Sequence, residues 1–175
     1  MTVTENSNLA TAADLRAAIT QFLATESRLL DEGREAEWLD LLDEDVLYEV
    51  PIRQASDPRS REYAQPGYRM RDTKAHLRTR IERLATGIAY SEVPPSRTMR
   101  LVGSIEITPT DRADVIAVAS ALLLYRQRGI DPHFDLVPAR REDTIRITAE
   151  GPRLLTRRVL NTETSLETPN LAVFL

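Results

Sequence analysis

PPSRTMRLVGSIEITPTDRADVIAVASALLLYR, residues 94–126, is the stretch whose pattern decides the fold. Pro94-Pro95 forces an extended break, because a proline disfavours helical backbone in the residue before it. Beyond the break the apolar side chains alternate, which is the two-residue period of a strand. Met99, Leu101, Ile105 and Ile107 are expected to share one face of that strand. Val115 to Arg126 reads as a second long strand, apolar on both faces, as expected where both sides are covered. Further strands are expected near Phe134 to Ile147 and Leu154 to Asn161.

Toward the N-terminus the period is helical. Thr11 is a candidate N-cap, and Asp14 sits well against the helix dipole three positions on. Leu15, Ile19, Phe22, Leu23, Leu29 and Leu30 follow at helical spacing, and Gly33 is a natural stop. A shorter helix is expected from Glu35 to Leu42, burying Trp38, Leu41 and Leu42. A strand from Val46 to Val50 then ends at Pro51. Residues 53–72 hold five Arg, two Pro and a Gly without a period, and read as a long loop. A third helix is expected from Thr73 to Ala89, with Leu77, Ile81, Leu84 and Ile88 as its apolar stripe. The apolar tail, Leu171 to Leu175, suits an added edge strand or docking on a partner. Residues 1–10 are expected to be a flexible N-terminus, and residues 11–175 a single domain.

Helices, one strand, a helix and then long antiparallel strands indicate α+β architecture. One solution is a strongly curved, mostly antiparallel sheet wrapped around the long third helix, with two further N-terminal helices. Such a cone leaves a pocket at its open end. With 42% hydrophobic residues, 175 residues can build a real core.

The net charge of -4 argues against a general nucleic-acid binder. Charge is unevenly spread: residues 1–52 carry 3 basic and 12 acidic side chains, residues 53–100 carry 11 basic and 5 acidic. Such asymmetry can guide subunit docking, or neutralise within one monomer. The absence of Cys excludes disulfides, thiolate catalysis and any cluster held by Cys of this chain. The longest apolar run, Val115 to Tyr125, falls short of the roughly 20 residues that a membrane helix needs. MTVTENSNLA lacks the pattern of a secretory signal, so a cytoplasmic location without membrane contact is expected.

Several segments, in order, resemble the small (beta) subunits of Rieske-type aromatic-ring-hydroxylating dioxygenases, a branch of the nuclear-transport-factor-2-like fold. They begin with residues 26–32 and Trp38-Leu39-x-Leu41-Leu42, then Asp45-Val-x-Tyr48-x-x-Pro51-x-Arg53. Leu77-Arg78-x-Arg80-Ile81 follows, then the most specific piece, Glu92-x-Pro94-Pro95-Ser96-Arg97-Thr98. Arg140-Arg141-Glu142-Asp143 and Arg157-Arg158-Val159-Leu160 complete the set. Relatives usually carry a His and then an Asn where this chain has Arg100 and Ser104.

The resemblance implies a non-catalytic scaffold that forms a homotrimer and binds three large alpha subunits as α3β3. It also implies that the Rieske [2Fe–2S] cluster and a mononuclear iron reside in the alpha subunit and receive electrons from NADH through a reductase. No cofactor or metal is expected in this chain. A Rieske cluster needs two Cys and two His, and only His76 and His133 are present. Arg97, Arg140, Arg141, Asp143, Arg157 and Arg158 are the polar candidates for bracing the sheet or the subunit interface. The alternative is a stand-alone enzyme of the same superfamily, similar to scytalone dehydratase, or a protein that only binds a hydrophobic metabolite in the pocket. There His76 would serve as general base and Tyr48 would polarise a carbonyl. Asp131-Pro132-His133-Phe134-Asp135 reads as a hairpin turn.

Overall fold

The Thr11 hydroxyl oxygen accepts a hydrogen bond from the Asp14 amide at 3.1 Å, satisfying one of the orphan donors at a helix start. From that cap, helix α1 runs over Ala12–Asp31 in a computed structural model that describes residues 11–63, 67–87, 92, 94–129, 131–164 and 173–175. It stops where Gly33 takes the left-handed conformation (φ 69°), and the Gly33 and Arg34 amides bond back to Leu30 and Leu29 carbonyls. Helix α2 covers Glu35–Asp40 and buries Trp38 and Leu39. It is shorter than expected, because Leu42 already belongs to strand β1, Leu42–Pro51, where it pairs with Leu154.

The expected loop over 53–72 is interrupted. After a turn of 3-10 helix at Arg59–Arg61, strand β2 covers Tyr68–Thr73 and pairs antiparallel with β1. Its sequence hid it: β2 is an edge strand that buries only Met70 and presents arginines outward. Helix α3, Lys74–Ala85, buries Leu77 and Ile81. It ends earlier than expected, since Gly87 turns left-handed (φ 68°). The expected Ile88 contact lies outside the described residues, as do residues 1–10 and the start of the apolar tail.

Strands β3 (Arg97–Pro109), β4 (Val115–Gln127), β5 (Phe134–Thr148) and β6 (Gly151–Asn161) form an antiparallel meander. The six strands lie in the order β2-β1-β6-β5-β4-β3, with β1 parallel to β6. α1 crosses the β3 end of the sheet, and α3 packs on β1 and β2. The longer helix against the sheet is thus α1, not the third helix that the sequence pattern suggested. The free edge of β3 is partly covered by α1: the Arg100 amide donates to Asp31 Oδ2 at 2.8 Å.

β3 does not hold its four apolar residues on one face. Two residues oppose one partner between Gly103 and Glu106, and Ser104 sits at φ 49°. This bulge reverses the parity, so Ile105 and Ile107 pack against the core while Met99 and Leu101 face outward, 60% and 62% exposed. β4 likewise has one covered face, carrying Val118, Leu122 and Leu124; Leu123, on the other, is exposed. The expected cover on both sides is absent within the described residues of this chain. A β-branched residue at Ser104 would strain the left-handed backbone. Ser104→Val should lower the unfolding free energy by about 1–2 kcal/mol, and Ser104→Gly should not lower it; urea denaturation would measure both.

Candidate functional site

Position 26 falls in phase with the apolar stripe of α1, yet it is glutamate. Glu26 is 1% exposed and meets two arginines from the sheet. Arg157 on β6 grips it with both terminal nitrogens, at 2.7 and 2.9 Å. The same guanidinium holds Asp143 on β5 through Nε at 2.9 Å and Nη2 at 2.8 Å. Arg141 Nη1 reaches Glu26 Oε2 at 3.3 Å, and its Nε donates to Ser120 on β4 at 3.2 Å. Trp38 Nε1 donates to Glu26 Oε1 at 3.1 Å. Inward alternation explains the set: Arg141, Asp143 and Arg157 stand on the covered face of β5 and β6, where Asp143 is opposite Arg157.

Burial acts to raise the Glu26 pKa, but Arg157 and Arg141 outweigh it and hold the carboxyl down at about 2. Burial also disfavours charged Arg157, yet Asp143 and Glu26 push its pKa well above the ordinary value. For Arg141, burial dominates and Arg157 adds to it, so its pKa is lowered. Two carboxylates and two guanidiniums make a set whose formal charges cancel.

The last described residues finish this interior. Phe174 stacks on Trp38 with centroids 4.5 Å apart and meets Tyr48 edge-on. Tyr48 Oη donates to the Leu175 carbonyl at 2.6 Å and accepts from the Leu175 amide at 2.8 Å. Phe174 and Leu175 are 2% exposed. Phe174 and Leu175 therefore fill the chain's own core, while Leu171 and Ala172 lie outside the described residues.

The six arginine and aspartate candidates divide. Arg141, Asp143 and Arg157 come together in the core; Arg97 and Arg140 are exposed, and Arg158 pairs with Glu142 at 3.2 Å near the surface. Sequence reasoning missed Glu26, although a glutamate in phase with Ile19, Phe22 and Leu23 was the available signal. It also missed Asp31, which binds Thr98 Oγ1 at 2.9 Å and pairs with Arg100. Arg100 is 7% exposed and turned inward.

Tyr48 and His76 form no acid–base pair. Burial raises the pKa of Tyr48, and its hydroxyl is committed to Leu175. His76 lies exposed at the start of α3, where its Nδ1 accepts from the Thr73 amide at 3.4 Å. His133 sits in the β4–β5 turn, with Asp131 Oδ1 2.8 Å from its Nδ1. Asp131 also accepts from the His133 amide, as a turn carboxylate does. Among the described residues no group of three or more His, Asp or Glu is placed to hold a metal, and no helix is long and apolar enough to cross a membrane.

Removing one partner of a buried pair strands the other, so Glu26→Gln should cost about 3–5 kcal/mol in urea denaturation. The Glu26 pKa is depressed from 4.5 to about 2, so its stabilisation is complete above pH 4.5 and lost as pH falls toward 2. That amounts to about 3 kcal/mol. Over this window the stability of the native chain should fall more steeply than that of Glu26→Gln.

The family model for the ring hydroxylating beta subunit matches residues 25–167. The beta subunit of an N,N-dimethyl phenylurea N-demethylase from Sphingobium sp. (strain YBL2) is 42% identical over 155 residues, 89% of this chain and 88% of that protein. In fold, the chain is similar to a naphthalene 1,2-dioxygenase solved with indole in its active site. The TM-score is 0.78 at 23% identity, with both chains fully covered. It is also similar to the beta subunit of the benzoate 1,2-dioxygenase of Burkholderia mallei, at TM-score 0.70 and 20% identity over 99% of this chain and 100% of that one. The chain belongs to the family of ring-hydroxylating dioxygenase beta subunits and has their α+β, nuclear-transport-factor-2-like fold.

Proposed function

We propose that this chain is the non-catalytic beta subunit of a multicomponent aromatic-ring-hydroxylating dioxygenase. Copies associate as a homotrimer, which supports large alpha subunits in an α3β3 assembly. The Rieske [2Fe–2S] cluster and the mononuclear iron then belong to the alpha subunit, with electrons from NADH through a reductase. The donor set here does not fit either centre: there is no Cys, and the two His stand on a helix start and a hairpin turn. The phenylurea named in the 42%-identical relative points to N-alkylated aryl compounds as one substrate class for the partner.

The observation that carries this reading is where the apolar surplus lies. Cross-strand pairing puts Met99, Leu101, Leu123, Tyr125, Phe134 and Leu136 on one outward face of β3, β4 and β5. Phe134 is 56% exposed and stacks on Tyr125 with centroids 5.2 Å apart. Arg97 and Arg140 flank the patch on the same face. An apolar centre with a charged rim is the anatomy of a subunit interface. Within the core, by contrast, Arg100, Arg157 and Tyr48 are engaged with the backbone of Phe174 and Leu175.

Purification from the native host through an N-terminal tag tests the reading. A larger iron–sulfur protein with Rieske absorbance should come through in equal amount; emergence of this chain alone and iron-free would overturn it. Leu101→Asp should reduce the oligomer to smaller species by light scattering while leaving the circular dichroism unchanged. Arg97→Ala should weaken assembly without altering substrate selectivity, and an unchanged oligomer mass would remove Arg97 from the interface.

A further inference from the structure

Side chains hold the main chain of Phe174 and Leu175. Arg100 on β3 donates through Nη2 to the Phe174 carbonyl at 2.6 Å. Arg157 on β6 donates through Nη1 to the Leu175 carbonyl at 3.3 Å. Tyr48 on β1 donates to that carbonyl at 2.6 Å and accepts from the Leu175 amide at 2.8 Å. Residues 173–175 themselves belong to no helix or strand. Three strands each send one polar side chain to a segment outside the sheet. A bound peptide is held in this way: hydrogen bonds to its main chain give affinity, and pockets for its side chains give selectivity.

The Phe174 ring has a seat of its own. Trp38 stacks on it, Tyr48 meets it edge-on, and the Arg80 guanidinium of α3 lies 5.9 Å from its centroid. Val173 and Phe174 also line a cleft of about 370 Å³ between α1, α2, α3 and the start of β3. The Arg80 side chain is 36% exposed. The ring borders on an open cleft and a part-exposed arginine, and no strand pairing has to break for it to leave. We propose that this seat is a peptide-binding site, occupied in cis by Val173-Phe174-Leu175 and able to take the same segment in trans. Its ligand class is an apolar peptide with an aromatic residue followed by an aliphatic one. The ring rests on Trp38, the aromatic residue's carbonyl meets Arg100, and the next residue's amide and carbonyl meet Tyr48 and Arg157. The tail is a ligand tethered to its own receptor, and local opening releases it while the sheet stays folded.

Hydrogen exchange on the full chain reads the release, because the Leu175 amide is protected by the Tyr48 hydroxyl. In the native chain that amide should exchange at least about tenfold faster than the protected amides of β5 and β6. Phe174→Gly combined with Leu175→Gly strips the tail of its side chains and loosens its backbone. That full-length variant should keep its circular dichroism. It should bind acetyl-Leu-Ala-Val-Phe-Leu-amide, the sequence of residues 171–175, with a saturable change in the fluorescence of Trp38, the only Trp. The same peptide with Ala in place of Phe should bind about tenfold more weakly or worse, and so should toluene, which offers a ring without a main chain. Adding Tyr48→Phe removes both of its bonds to the main chain and should weaken the peptide about tenfold. Exchange of the Leu175 amide no faster than that of β5 and β6, loss of the fold in the glycine variant, no saturable response to the peptide, or toluene bound as tightly as the peptide would each overturn the proposal.

Discussion

The guanidinium of Arg157 is held between two carboxylates, Glu26 from the helix and Asp143 from the neighbouring strand, with two contacts to each. Withdrawing such charges from water costs more than most contacts return, so the arrangement depends on the full pairing of Arg157 with both carboxylates. Every Arg157 nitrogen donates, every carboxylate oxygen accepts, and the charges cancel. Such a set tolerates one geometry. It fixes the rotation of α1 on the sheet, aligns β5 with β6, and gives the Leu175 carbonyl a donor. The packing of Trp38, Tyr48 and Phe174 follows from where that helix and that tail are held.

The inward and outward faces of the sheet therefore have different roles. Inside, carboxylates and guanidiniums pair with one another, and the Tyr48 hydroxyl is taken by the Leu175 backbone. Outside, aromatic and aliphatic side chains of β3, β4 and β5 have no cover from the described residues of this chain. The apolar surplus of the described residues lies on the outward face of the sheet, opposite the buried charges.

Much of this was legible in the chain. The caps at Thr11 and Gly33, the Pro94-Pro95 break and the alternation through β4, β5 and β6 each depend on local chemistry that a sequence displays. What escaped depends on non-local facts. β2 is an edge strand with one buried side chain, so its Arg-rich alternation resembles a loop. The bulge at Ser104 inserts one residue into the pairing, and no periodicity separates Met99 and Leu101 from Ile105 and Ile107. Arg141, Asp143 and Arg157 were visible as polar candidates. Their partner was not, because Glu26 lies more than a hundred residues earlier in the chain. Arg100 was singled out as a departure, but only the structure shows that it points into the protein.

The parallel pairing of β1 with β6 has a consequence for how the chain is made. The meander from β3 to β6 joins neighbours in sequence and can assemble as it is synthesised. β1 must wait for β6, the last strand. Trp38 and Tyr48 wait longer still, for Phe174. Until Phe174 has been made, the nascent protein carries an unsealed interior in addition to the outward apolar face of β3, β4 and β5. During that interval, early docking onto a partner would shield one of the two surfaces.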